Sequence, residues 1–241
     1  MDESPQLSGK LGQRDLGKKS FERYRAIAQM PPVTYLEFIL SELSIRLSYL
    51  LSYTSVTPNQ LTALSMLVGL TSAGLILHPS YHFRILGIGI WFLAWVLDFC
   101  DGEIARYKSM ETEFGRWLDE VTDRLRDVGL YTAVTVLAVR EASSIEASLW
   151  GLLALGGALV YQYASTFHCK PAARVHGSPQ TTRFSPRKFG GVNYVLMAVL
   201  LALDMPLLFL ICAAILAFSG LAFDIYSSRR ATAQDHRIQV E

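Results

Sequence analysis

The sequence predicts an all-α, polytopic membrane protein with six transmembrane helices preceded by an N-terminal interfacial amphipathic helix. Three observations carry this expectation. Hydrophobic residues make up 51% of the 241 residues, and the mean hydropathy is positive at +0.28. The apolar residues are clumped into successive runs of the length that a bilayer core about 30 Å thick requires, about 20 residues per helix. Basic residues, in turn, gather on alternate connecting segments. The net charge of +1 says nothing about nucleic acid, since the placement of charges matters more than their sum, and no nucleic-acid partner is expected.

Along the chain, residues 1–34 read as a basic cytosolic arm with Lys10, Arg14, Lys18, Lys19, Arg23 and Arg25. The arm lacks the apolar run of a secretory signal. Residues 35–56 are apolar but interrupted by Glu37, Glu42 and Arg46, which suits a helix lying in the membrane interface. A domain then covers 57–228. Thr57 caps its first span and Pro58 occupies the first turn, where a missing N–H costs nothing. The spans are expected at about 58–77, 85–106, 114–139, 149–167, 191–203 and 207–226. The fifth is short, and its start can reach back towards Arg187. Asp204-Met205-Pro206 makes a tight turn into the sixth. Residues 229–241 form a cytosolic tail.

Most basic flanking residues fall on one side of this layout, including Arg106, Lys108, Arg116, Arg229 and Arg230, whereas the opposite loops hold only Arg84 and Arg140. Both termini are therefore expected in the cytosol, at the inner or cytoplasmic membrane. Cys100, Cys169 and Cys212 form no CxxC pair, so small apolar filling is the expected role of each.

The chemistry-bearing stretch begins at Asp98 and ends at Asp123. Asp98 and Asp101 stand three apart on a helix, and Gly102 and Ala105 extend their face. Gly115, Asp119 and Asp123 repeat by fours on the next helix. If the two helices pack as an antiparallel pair, four carboxylates converge just inside the membrane boundary. Such groups are costly there and repel one another unless a cation neutralises them. An all-oxygen cluster favours a hard ion, Mg²⁺ or Mn²⁺, and four carboxylates can bridge two ions. The small residues leave room for a phosphate or a flat base, and Arg106 can meet a phosphate with its guanidinium. Glu103, Glu111, Glu113 and Glu120 are expected on the solvated side, and Tyr107 and Trp117 at headgroup level.

The run Asp98, Asp101-Gly102, Ala105-Arg106, Gly115, Asp119, Asp123 resembles the signature of the CDP-alcohol phosphatidyltransferases at every position. The resemblance implies transfer of a substituted phosphate group from a CDP-linked donor, CDP-diacylglycerol above all, to the hydroxyl of a small polar alcohol, inositol- or glycerol-phosphate-like, with release of CMP, in phospholipid biosynthesis. It implies that Asp98, Asp101 and Asp119 are metal ligands, and that Asp123 is the general base and a ligand of a second ion. Gly102, Ala105, Arg106, Gly115 and Asn59 would lie against the nucleotide. Basic residues between the fourth and fifth spans, Lys170, Arg174, Arg183 and Arg187, would hold the phosphate of a phosphorylated acceptor. Positive-inside topology and attraction to anionic lipid account equally well for that loop. The stretch from Asp119 to Arg124 resembles inositol-type members more than the choline and ethanolamine group. A homodimer is implied by the resemblance alone.

Three alternatives remain at this level. One is transfer from a polar CDP-alcohol such as CDP-inositol. Another is an intramembrane prenyltransferase using Mg²⁺-pyrophosphate, which leaves the spacing of the small residues unexplained. The last is a cation transporter, for which polar groups near the midplane would be expected rather than at one end.

Overall fold

The computed structural model describes residues 20–30, 32, 34–166 and 186–238, and every described element is helical. A short helix α1 covers residues 20–28. It is followed by α2 (Tyr35–Ser52), α3 (Pro58–Ile76), α4 (Tyr81–Tyr107), α5 (Glu113–Ala142), α6 (Ile145–Thr166), α7 (Pro186–Ala202) and α8 (Pro206–Ile238). Four of these contain stretches long and apolar enough to cross a membrane: Pro58–Ile76, Tyr81–Tyr107, Ile145–Ala164 and Pro206–Tyr226. The protein is thus a membrane protein by composition. Leu67, Leu86, Leu152 and Ile215 are each more than half exposed, as lipid-facing side chains would be. Helix α5 falls outside the four because its first half is heavily charged, and α7 because it has 17 residues.

Several helix ends differ from expectation. Helix α4 begins at Tyr81 rather than near residue 85. Helix α7 starts at Pro186 and so reaches back to Arg187 as expected, whereas α8 continues past Tyr226 to Ile238. That last extension follows from composition, since no Gly or Pro stands after Gly220 to stop the helix. Helix α1 lies in a stretch expected to be a plain arm. Its signal is Phe21, Tyr24 and Ala28 at helical spacing, with Tyr24 and Ala28 buried against Ile45 of α2. Residues 1–19 of the arm, and Cys169, lie outside the described residues. Left-handed backbone occurs at Ser109, Ser143 and Asp204, each just beyond a helix C-terminus (φ 55°, 48° and 62°).

The chain divides into two compact units, one of Met1–Val68 with Phe92–Asp123 and the other of Gly69–Trp91 with Arg124–Glu241. In the first, Leu40 of α2, Leu61 of α3 and Val96, Cys100 and Ile104 of α4 make the core. Helix α2 is capped by Thr34, whose hydroxyl accepts from the Glu37 N–H at 3.2 Å. Its buried face carries Ser41, Ser44 and Ser48, while Tyr35, Phe38, Leu43 and Leu50 are exposed. Leu40 and Ile45 are buried on the same face as the serines.

In the second unit, α6 packs on α8 where Gly157 meets Ala217 and Phe218 and where Gly220 meets the Tyr161 ring. A polar group lies inside it. Asp127, 3% exposed, accepts from Gln162 Nε2 at 2.9 Å and from the Tyr194 hydroxyl at 2.8 Å, and Asn193 donates to the Tyr131 hydroxyl at 2.9 Å. Buried Arg84 pairs with Glu141 at 3.2 Å and with Asp204, so the turn after α7 is tied to α4 and α5.

Candidate metal and nucleotide site

All the aspartates of the motif lie in the first unit, on α4 and on the first turns of α5. Asp98 and Asp101 stand three positions apart on α4 and Asp119 and Asp123 four apart on α5, so each helix turns its pair to one side. One carboxylate oxygen from each of Asp98, Asp119 and Asp123 lies within 4.8 Å of the other two, and all three side chains are half-buried. Opposite ligands of a Mg²⁺ ion stand about 4.2 Å apart, so three oxygens within 4.8 Å of one another are grouped closely enough to close on one hard divalent ion with a small movement of the side chains. The donor set is all oxygen, which suits Mg²⁺ or Mn²⁺ better than a softer metal. Cys100 is no part of it. Its thiol is buried and donates to the Ser44 carbonyl at 3.5 Å.

Asp101 is not one of those three. It is 7% exposed, and its Oδ2 accepts from the Thr62 hydroxyl of α3 at 2.5 Å. It remains within electrostatic reach of Asp98 and Asp119, both of which act on its charge. The sequence therefore foresaw the aspartate group but not the threonine that orients one member. Thr62 was legible only as a polar residue in an apolar run.

The small residues sit where their lack of bulk is used. A Cβ on Gly102 would come within 3.2 Å of an Arg106 guanidinium nitrogen, so that side chain folds back over the glycine. A Cβ on Gly115 would meet Thr112 Oγ1 at 3.1 Å and Asn59 Oδ1 at 3.3 Å, which places Asn59 of α3 beside the start of α5. Thr112 also accepts from the Gly115 N–H at 2.9 Å, capping that helix. Ala105 lies half-buried on α4.

Arg106 Nε donates to the Ala28 carbonyl at 2.6 Å. The expected phosphate-binding arginine is thus tethered to the last residue of α1. Glu103 requires a correction. It is buried, 3% exposed, and not on the solvated side, because two serines of α2 reach it: Ser44 Oγ at 2.8 Å and Ser48 Oγ at 2.5 Å. The pairing of Ser44 with Ser48 at helical spacing was the available sign. Glu111, Glu113 and Glu120 are exposed, as expected. Lys170, Arg174 and Arg183, with His168, lie outside the described residues, and Arg187 falls in the first turn of α7.

Comparison with known proteins gives a consistent result. A family model described as CDP-alcohol phosphatidyltransferase matches residues 55–225. A protein of Aquifex aeolicus named bifunctional IPC transferase and DIPP synthase is 37% identical over 109 residues, 45% of this chain and 24% of that protein. The phosphatidylinositol phosphate synthase of Corynebacterium glutamicum is 40% identical over 81 residues, 33% of this chain and 36% of that protein. The chain therefore spans about a quarter to a third of the length of these curated relatives. Among solved structures, the phosphatidylinositol phosphate synthase of Mycobacterium tuberculosis, determined with CDP-DAG bound, superposes with a TM-score of 0.60 at 14% identity. The match covers 78% of this chain and 94% of that one, and it shows a shared fold.

Proposed function

The chain belongs to the CDP-alcohol phosphatidyltransferase family, and from that premise we propose that it transfers a substituted phosphate group from CDP-diacylglycerol to a small polar alcohol. The acceptor is of inositol type and phosphorylated, and CMP is released. The observation that carries this reading is the close approach of the Asp98, Asp119 and Asp123 carboxylate oxygens, within 4.8 Å, on the residues that bear the family signature.

In this reading Asp98, Asp119 and Asp123, whose carboxylate oxygens lie together, and Asp101 beside them would hold two divalent cations between them, and such ions would offset the charge that grows on the departing phosphate. Asp123 takes the proton of the acceptor hydroxyl, whose oxygen forms a bond to the phosphorus distal to cytidine. The anhydride bond to the proximal phosphate breaks, and CMP leaves with that electron pair. Gly102, Ala105 and Gly115 leave space against the backbone for the cytidine diphosphate, while Arg106 and Asn59 meet it with polar groups. Lys170, Arg174, Arg183 and Arg187 bind the acceptor's phosphate, a task that arginine performs through paired N–H donors.

The same reading takes residues 57–228 as the catalytic domain with six spans, α3 to α8. Helix α2 lies in the interface with its exposed apolar face in lipid, and both termini and the aspartates are on the cytosolic side. The bias of Lys and Arg towards one set of loops supports that orientation. The protein works as a homodimer.

The test is release of CMP from CDP-diacylglycerol and CDP-inositol, each with inositol, inositol phosphate, glycerol phosphate or serine as acceptor. Turnover with CDP-diacylglycerol and inositol phosphate, lost on chelation and restored by Mg²⁺ or Mn²⁺, is expected. Absence of CMP from every pairing would refute the proposal.

A further inference from the structure

One end of α4 serves two masters. One side of its last turns carries Asp101, Gly102 and Ala105. The other residues of those turns are engaged by the N-terminal segment, and within a single unit. Glu103 accepts from Ser44 and Ser48 of α2 at 2.8 and 2.5 Å. Arg106 donates to the Ala28 carbonyl of α1 at 2.6 Å. The Tyr107 ring lies 4.6 Å from that of Tyr24, which is fully buried and packs on Tyr49 as well. Lys108 Nζ donates to the Thr54 and Val56 carbonyls at 2.9 and 3.2 Å, just before α3 begins.

A buried carboxylate needs a reason, because removing its charge from water is costly unless hydrogen bonds and an opposite charge compensate. The serines supply the hydrogen bonds, and Arg106 stands three residues further along the same helix, a spacing at which side chains on a helix are neighbours. Folding does not require this arrangement for the serines' own sake. Ser44 also donates to the Ser41 carbonyl and Ser48 to the Ile45 carbonyl, so each hydroxyl has another acceptor without Glu103. What Glu103 and α1 do together is restrict where the Arg106 guanidinium can go. It is bound at Nε by α1 and laid over Gly102, with Glu103 held in place by α2 one turn before it.

We infer that Glu103 and helix α1 form a latch that positions Arg106 for the diphosphate of the donor, making the N-terminal helices part of the donor site and not only a membrane anchor. The inference rests on the reading of Arg106 as a donor-binding residue. Glu103 is a positioning residue in this scheme, since it acts through Arg106 and touches no reacting atom. The physical gain is preorganisation: an arginine held in place loses less side-chain freedom when the diphosphate arrives.

The test uses the full chain in detergent micelles, with CDP-diacylglycerol titrated at saturating Mg²⁺, for wild type, Glu103→Gln and Tyr24→Ala. Glutamine keeps the shape and can still bond the serines but removes the charge facing Arg106. Tyr24→Ala loosens α1 by removing its ring contacts with Tyr107 and Tyr49, while Glu103 and Arg106 keep their own side chains. Both variants should elute as wild type does on size exclusion. Donor KM should rise about tenfold in each, the loss of one charge-assisted hydrogen bond. The kcat and the Mg²⁺ concentration for half-activity should stay within about twofold, as removal of donor binding alone requires. Unchanged donor KM in either variant, or a fall in kcat alone, overturns the latch. Calorimetric binding of CMP to the same three samples separates this inference from the reaction itself. If wild type binds CMP but releases none from any donor, the proposed reaction fails, and the latch stands only if both variants bind CMP about tenfold more weakly. No CMP binding by wild type overturns both.

Discussion

At the scale of single residues, the site depends on groups that hold other groups. Asp123 is the carboxylate proposed to take the acceptor's proton, and its oxygen lies within 4.8 Å of those of Asp98 and Asp119. Replacing it with asparagine keeps the shape and abolishes the basicity. Asp123→Asn should therefore lower CMP release by on the order of 10²- to 10⁴-fold, measured at saturating donor and metal. Thr62 makes a subtler case. Its hydroxyl orients Asp101 at 2.5 Å, and partners of metal ligands are typically worth 10- to 100-fold in metal affinity. Thr62→Val preserves volume and removes the donor. The Mg²⁺ concentration giving half-maximal CMP release should rise about 10-fold or more, and an unchanged value would show that Thr62 serves packing alone.

Helices are the next scale, and here the small residues decide how closely α5 and α6 approach. A Cβ on Gly151 of α6 would collide with Thr135 Oγ1 and stand 2.8 Å from its Cβ on α5. No rotation of the threonine relieves the second clash, so the helices themselves would have to part. Gly151→Ala should destabilise the protein by about 1–3 kcal/mol, the usual cost of overpacking. Thermal denaturation in detergent, followed by loss of the monodisperse peak, would read this as a lowered midpoint. Thr135→Ala in the same background should recover part of the loss. Helix α5, expected from the sequence as a span, is not among the four stretches apolar enough to cross a membrane. Its first half is too charged to stand out as apolar, yet Arg126 and Asp127 are buried, the latter satisfied by Gln162 and Tyr194. Hydrogen bonds between helices replace hydropathy there.

For the whole molecule, the asymmetry of basic residues yields a topology that can be checked without any substrate. With the aspartates cytosolic, a cysteine placed at exposed Glu111, in the loop before α5, should react with an impermeant maleimide only from the cytosolic side. One at exposed Ser143, after α5, should react only from the other. Both substitutions are made in a background lacking Cys100, Cys169 and Cys212. Labelling of both positions from one side would mean that α5 does not cross the membrane, and would reduce the number of spans below six.

The aspartates could be read without coordinates because their message lies in spacing along one helix, which 3.6 residues per turn converts into a shared face. The same holds for the helix order, since the length of an apolar run is itself the thickness of a bilayer. Glu103 could not be read in this way. Its neighbours in the chain resemble those of any solvated acid, and its burial comes from Ser44 and Ser48, more than fifty residues away. Helix α1 escaped notice for a related reason, being held by Tyr24 and Ala28 against Ile45 rather than by a long apolar run. Local periodicity decided which residues face the same way. Only the packing of distant segments decided which polar groups are kept from water, because burial belongs to the neighbours a residue acquires in three dimensions.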